Sequence, residues 1–294
     1  MRRMECGALC ALSLMACGGM EDGASEDAAA ETIESGTPHV ASFGRDAATT
    51  APKLTYYGGP VVESARVVAV LWGPSVDAQV AGRIGDFYKA AVTSSYFSWL
   101  SEYDPPGGKQ HIGRGSLEGV HTISPAQKSH ALSDTQIAKE LAAQIRARKL
   151  PKADANTIYL VHFPPGVRIS LGGAHSCQSG GFCGYHSTLR ASATHVRYAV
   201  LPDMGPGSGC DVGCGNGPAL ANVTSVASHE LVEATTDPDV GLARSLAAPL
   251  AWYDANNGEI GDICAGRDGQ LRAGGAVWTV QKQWSNKARA CVLK

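Results

Sequence analysis

Three apolar runs set the limits on how this chain folds. They are "ARVVAVLWG" (residues 66–72 at its centre), "NTIYLVHFP" and "HVRYAVLPD", the last from His195. Each is long enough for a buried strand and far too short to cross a bilayer. Helical stretches lie beside them. Val80, Ile84, Phe87, Tyr88, Ala91 and Val92 recur at helical spacing, and residues 94–100 start a second short helix that "DPPGGK" breaks. "SDTQIAKELAAQIRARKL" is a clear helix, with Ser133 or Asp134 as its cap and basic residues in its last turn. "HIGRGSLEGVHTI" reads as an edge strand and turn, and the chain ends in a loop, short strands and a disulfide-tied tail. The expectation is one α/β domain over residues 53–294: a mixed β-sheet packed by helices, with disulfide-rich loops. A length of 294 residues at 44% hydrophobic content allows a sizeable core. The net charge of −2, without a basic stripe interleaved with aromatics, argues against nucleic acid as the main partner.

The first residues read as an address rather than as fold. "MRRM" is a basic start, and "CGALCALSLMA" is an apolar stretch of signal-peptide length. It ends in "LMAC", similar to a bacterial lipoprotein signal in which Cys17 becomes the lipidated first residue of the mature chain. An ordinary signal peptide cut nearby is the alternative. Residues 1–16 are therefore the expected signal. Residues 17–52, rich in Ala, Glu, Asp, Ser and Gly, are the expected disordered tether. The membrane is touched only through the lipid, or the protein is extracellular.

Cysteine usage agrees with export. Of nine cysteines, six lie beyond the signal region: Cys177, Cys183, Cys210, Cys214, Cys264 and Cys291. An even number in an exported chain reads as disulfides. The local choice pairs 177 with 183, 210 with 214, and 264 with 291. A Cys-rich zinc site is the competing reading, disfavoured by the oxidising compartment.

Chemistry concentrates in "VASHELVEATTDPD", a helix expected over about 222–236 and stopped by Pro238. His229 and Glu233 stand four apart, so both point from one helix face and can clasp one cation. Glu230 is placed to serve as general base on an ion-activated water. Zinc accepts carboxylate oxygen, but Glu233 in place of a second His makes the site harder, and Mn²⁺, Ca²⁺ or Mg²⁺ stay open. The third ligand is expected in "YDANNGEIGDIC": Asp262 first, Glu259 second. His186, in "CGYH", is an outside candidate, and Asp237 can support the site from behind its ligands. The bland alternative is an amphipathic helix with two solvated carboxylates. The small apolar residues around them argue for a buried helix, where unpaired carboxylates are costly. Ser228 lacks a nucleophile-elbow pattern, and "GPGSGCDVGCGNGP" follows no phosphate-loop pattern. His162 reads as a core histidine, and the five tryptophans as core or rim.

The ordered blocks "LTYYGGPVV", "VVAVLWG", "IGDFYKAAVTSSYFSWLSEY", "FCGYH", "YAVLPD" and "CDVGC" resemble the Exordium-like, phosphate-induced protein family of plant cell walls and its bacterial relatives. The resemblance runs from about Leu54 to the C-terminus. The bacterial branch looks zincin-like, with S-H-E-L-x-E-x-x-T-D-P and a later G-E-I-G-D-x-C, which stand here at 228–238 and 258–264. It implies a zincin-like active-site helix on an extracytoplasmic α/β scaffold. Plant members lack the His-Glu motif and act in growth-related signalling at the wall, so the scaffold also serves without chemistry. Three functional expectations follow. One is a monomeric, surface-anchored metal-dependent hydrolase, a zinc peptidase first, acting on a peptide or cell-surface polymer. Another is a non-catalytic surface binding or signalling protein with at most a structural metal. A disulfide module without a small ligand is a third.

Overall fold

The computed structural model describes residues 51–294 apart from 192 and 193, together with the backbone of two short strands at 34–35 and 39–42. Cys17 and the signal segment 1–16 lie outside the described residues. A compact unit runs from Thr32 to Lys294.

Its centre is a seven-stranded mixed sheet. The strands are β1 (Glu34–Ser35), β2 (His39–Ser42), β3 (Arg66–Leu71), β4 (Ser116–Thr122), β5 (Thr157–His162), β6 (Phe182–Ala191) and β7 (Thr194–Leu201). They lie in the order β4, β3, β5, β7, β6, with β1 and β2 both pairing along the outer side of β6. The three apolar runs are β3, β5 and β7, which form the parallel middle with β4 parallel at one edge. β6 turns back antiparallel beside β7. Helices α1 (Ala78–Thr93), α2 (Asp134–Arg146) and α3 (Ala219–Thr236) cover the sheet.

Strand alternation divides the core in two. Val67, Ala69, Ile158, Leu160 and Ala199 share one apolar cluster with α1 and α3. Val68, Val70, Tyr159, Val161 and Val200 share the other with α2. Buried on both faces, these strands have no room for the polar alternation of a one-sided sheet. Asp77 caps α1, accepting from the backbone of Gln79 and Val80. Ser133 caps α2 in a reciprocal capping box with Gln136. Asp134 is instead the first helical residue, and its carboxylate accepts from Tyr185 and Tyr198. α3 starts three residues earlier than its sequence pattern suggests, directly after Pro218, and is buried from Asn222 to Thr236. The hairpin of β8 (Asp268–Ala273) and β9 (Ala276–Gln281) packs against α3.

Three expectations change. "FCGYHSTLRA", in the Cys- and Gly-rich stretch between the second and third apolar runs where disulfide-rich loops are expected, is the ten-residue strand β6. Its polar residues His186, Ser187 and Thr188 are buried, which hides the usual strand pattern. The segment 17–52 is not tether throughout, since β1 and β2 pair with β6. The disulfides are Cys177–Cys210, Cys183–Cys214 and Cys264–Cys291, so only the last matches the local choice. The loop between β7 and α3 folds back over the start of β6, bringing Gly209 against Cys177, and each loop cysteine meets one there. These bridges point to an oxidising, extracellular setting. Among the described residues no helix is long and apolar enough to cross a membrane.

His162 is a core histidine, with Nε2 2.8 Å from the Tyr88 hydroxyl, and both are fully buried. Burial lowers its pKa to about 3. An unfolded histidine binds a proton near pH 6.5 and this one does not, so stability is retained above 6.5 and lost as pH falls from there toward 3. His162→Gln should therefore lose less stability between pH 7 and pH 4.5 than the parent, by about 2–3 kcal/mol in urea unfolding. Parallel pH dependences in the two proteins would contradict this.

Candidate metal centre

The centre forms where α3, β6 and the loop 258–264 meet. α3 contributes His229, Glu230 and Glu233, β6 contributes His186, and the loop contributes Glu259 and Asp262. Five of these six side chains belong to residues at most 1% exposed, and Asp262 is at 7%. Two glycines allow this approach. A Cβ on Gly184 of β6 would lie 2.8 Å from Val226 and 3.0 Å from a Glu230 oxygen. A Cβ on Gly261 would lie 2.7 Å from His229 Nδ1 and 2.8 Å from Glu233 Oε1. Any larger residue would hold the strand or the loop off the helix.

Glu233 is the hub. Its Oε1 accepts from the backbone N–H of Gly261 (3.1 Å) and Asp262 (3.0 Å), which fastens the loop to the helix. Its Oε2 lies 3.0 Å from His229 Nε2 and 3.6 Å from His186 Nδ1. The 3.0 Å pair is off the line of a hydrogen bond, so His229 Nε2 has no hydrogen-bond partner despite the short distance. His186 bridges the other carboxylates, with Nδ1 3.2 Å from Glu230 Oε2 and Nε2 3.5 Å from Glu259 Oε1. Asp262 Oδ2 accepts from the N–H of Glu259. Gln281, at the end of β9, places its amide nitrogen 2.9 Å from His229 Nδ1 and 2.9 Å from the Gly261 carbonyl. Ser228 accepts from the Gln281 N–H and donates to the Ser225 carbonyl, a structural tie between helix and hairpin.

Charge is crowded here. Burial works against a protonated His229, but Glu233, Glu230 and Asp262 outweigh it and raise its pKa to about 10. The same contest, won by Glu259, Glu230 and Glu233, raises His186 well above the ordinary value. Burial pushes Glu233 up to about 7; Glu259 and Asp262 add to this and His229 opposes it.

The donor set suits a divalent cation. Ligand atoms about 2.0–2.2 Å from one ion sit about 3–3.6 Å apart, and the 3.0 Å between His229 Nε2 and Glu233 Oε2 falls in that range. Ligand atoms of His229, Glu233 and Asp262 lie mutually within 4.8 Å, as do those of His186, Glu233 and Glu259. Both loop carboxylates named from the sequence therefore reach the helix, and His186 sits inside the cluster rather than outside it. Asp237 closes the end of α3, where its Oδ1 accepts from the Ala251 N–H. Sequence reasoning missed Gln281, Gly184 and Gly261; Gly184 in "FCGYH" and Gly261 in "GEIGDIC" both lie inside motifs already quoted, whereas Gln281 carries no such signal. All five tryptophans lie in the two apolar clusters or pack against them.

No family model matches the chain, and neither a curated protein nor a solved structure matches it.

The glycine contacts give a stability test. Gly261→Ala should cost about 1–3 kcal/mol, the scale of an overpacked site. Gly82→Ala, on the exposed side of α1 with open space around it, should be neutral or gain up to about 1 kcal/mol. Thermal unfolding of both variants reads this directly, and equal effects would contradict the close approach.

Proposed function

We propose that this protein is an exported, metal-dependent hydrolase, with a peptide or cell-surface polymer as substrate. The observation that carries the reading is one buried cluster holding two histidines and four carboxylates, with His229 Nε2 and His186 Nε2 lacking hydrogen-bond partners. His229, Glu233 and Asp262 would hold the ion, zinc first. A bound divalent ion supplies polarisation of a carbonyl and acidifies water. Glu230 is the proton acceptor, oriented by His186 through Oε2, while its Oε1 has no hydrogen-bond partner. Binding through His229 Nε2 would put the ring proton on Nδ1, which calls for Gln281 to turn its amide and give up its bond to the Gly261 carbonyl. The S-H-E-L-x-E-x-x-T-D-P and G-E-I-G-D-x-C motifs support membership of the bacterial Exordium-like branch with a zincin-like helix. The "LMAC" ending supports lipid anchoring at Cys17.

One observation favours a second reading, a binding or signalling protein with a structural ion. The centre is almost wholly buried, and a surface pocket of about 830 Å³ lies elsewhere, lined by Arg66, Glu118, Lys152, His195, Arg197 and their neighbours. None of the centre's residues lines it. Glu230→Gln separates the two readings. On the hydrolase reading it lowers turnover of a peptide library by about 10²–10⁴-fold, the scale of a lost general base, and retains the metal. Unchanged turnover would remove Glu230 from the mechanism, and no turnover by the parent protein would favour the structural ion.

A further inference from the structure

We propose that the centre holds two divalent cations bridged by Glu233, the second bound by His186 and Glu259. This rests on the reading of the first ion at His229, Glu233 and Asp262, and extends it.

Three observations lead there. Glu233 belongs to both ligand groupings, and its Oε2 lies 3.0 Å from His229 Nε2 and 3.6 Å from the His186 ring at Nδ1. A carboxylate shared by two ligand groupings from different elements is suited to bridge two ions. Second, His186 is fully buried in mid-strand, and its Nε2 has no hydrogen-bond partner. Its Nδ1 is 3.2 Å from Glu230 Oε2. A carboxylate taking one ring proton leaves the other nitrogen bare, the arrangement that prepares a metal-binding histidine. That bare nitrogen lies 3.5 Å from Glu259 Oε1, within the spacing of two ligands on one ion.

The third is charge. Glu230, Glu233, Glu259 and Asp262 are all buried, Asp262 the least so. Ionised, they carry four negative charges around two neutral imidazole ligands. One divalent cation compensates half of that, and two compensate all of it. Burial makes negative charge of this density costly, and each added divalent cation lowers that cost. Oxygen-rich coordination with one histidine per ion suits Mn²⁺ or Zn²⁺. Paired ions of this kind stand about 3.5–4 Å apart and serve in aminopeptidases and phosphatases. Phosphoester bonds therefore join peptide bonds as substrates to assay.

The test is metal stoichiometry of the oxidised protein after loading with Zn²⁺ alone and removal of excess. The expected result is two equivalents in the parent and one in both Glu259→Gln and His186→Ala. One equivalent in the parent, unchanged in Glu259→Gln, would overturn the second site and leave the first intact. None in the parent would overturn both. Loading the parent with Mn²⁺ gives a second readout that needs no variant to fold. A spin-coupled pair in the electron paramagnetic resonance spectrum is expected, and an isolated six-line spectrum at saturation would contradict the bridge.

Discussion

The structure is organised around a burial problem. Six ionisable side chains from three elements are held in one water-poor space, with more acids than bases among them. A buried carboxylate is tolerated when hydrogen-bonded, protonated or bound to a cation. Backbone amides satisfy one oxygen of Glu233, and His186 stands between Glu230 and Glu259. What is left is an inward-facing set of nitrogens and oxygens with net negative charge. On the proposed reading a cation would answer that demand without extra protons.

The supports are arranged in layers. The parallel strands β3, β5 and β7 form a rigid floor, and α3 lies over it beside β6. The disulfides Cys177–Cys210 and Cys183–Cys214 tie the start of β6 to the loop leading into α3. Cys264–Cys291 anchors the acidic loop just past Asp262. The Trp284 N–H to the Ile260 carbonyl and the amide of Gln281 hold that loop from the C-terminal side. Each tie closes a stretch of chain whose ordering entropy would otherwise oppose the site, and crosslinks over 27 to 33 residues are each worth about 3–4 kcal/mol in a chain-entropy account. Strands β1 and β2 add to the outer side of β6, so the strand carrying His186 has neighbours on both sides.

Much of this was legible in the residues. The buried strands announce themselves by continuous apolar runs, and α1 and α2 by spacing and caps, because local pattern and tertiary position agree there. His229, Glu233 and the loop acids were legible because helical spacing and a Gly-flanked acidic motif are local signals. β6 was not. Its inward residues Gly184, His186 and Thr188 are small or polar where they face the centre and the end of α3, and this hides the strand pattern. For the same reason His186 looked peripheral. The disulfide pairing depends on how a loop folds back over β6, which sequence proximity does not encode. Gln281 matters only through a contact across 52 residues to His229.

The central claim is that a cation, rather than protons alone, compensates the buried charge. The most direct measurement is the thermal unfolding midpoint of the oxidised protein with saturating Zn²⁺ and with chelator, beside Glu233→Gln. The account predicts that chelation lowers the parent's midpoint by several degrees, since an ion bound only to the folded state stabilises it by mass action. Glu233→Gln should respond to neither addition. A parent midpoint unmoved by Zn²⁺ and by chelator would contradict the claim and leave the cluster as a proton-balanced network inside a binding scaffold.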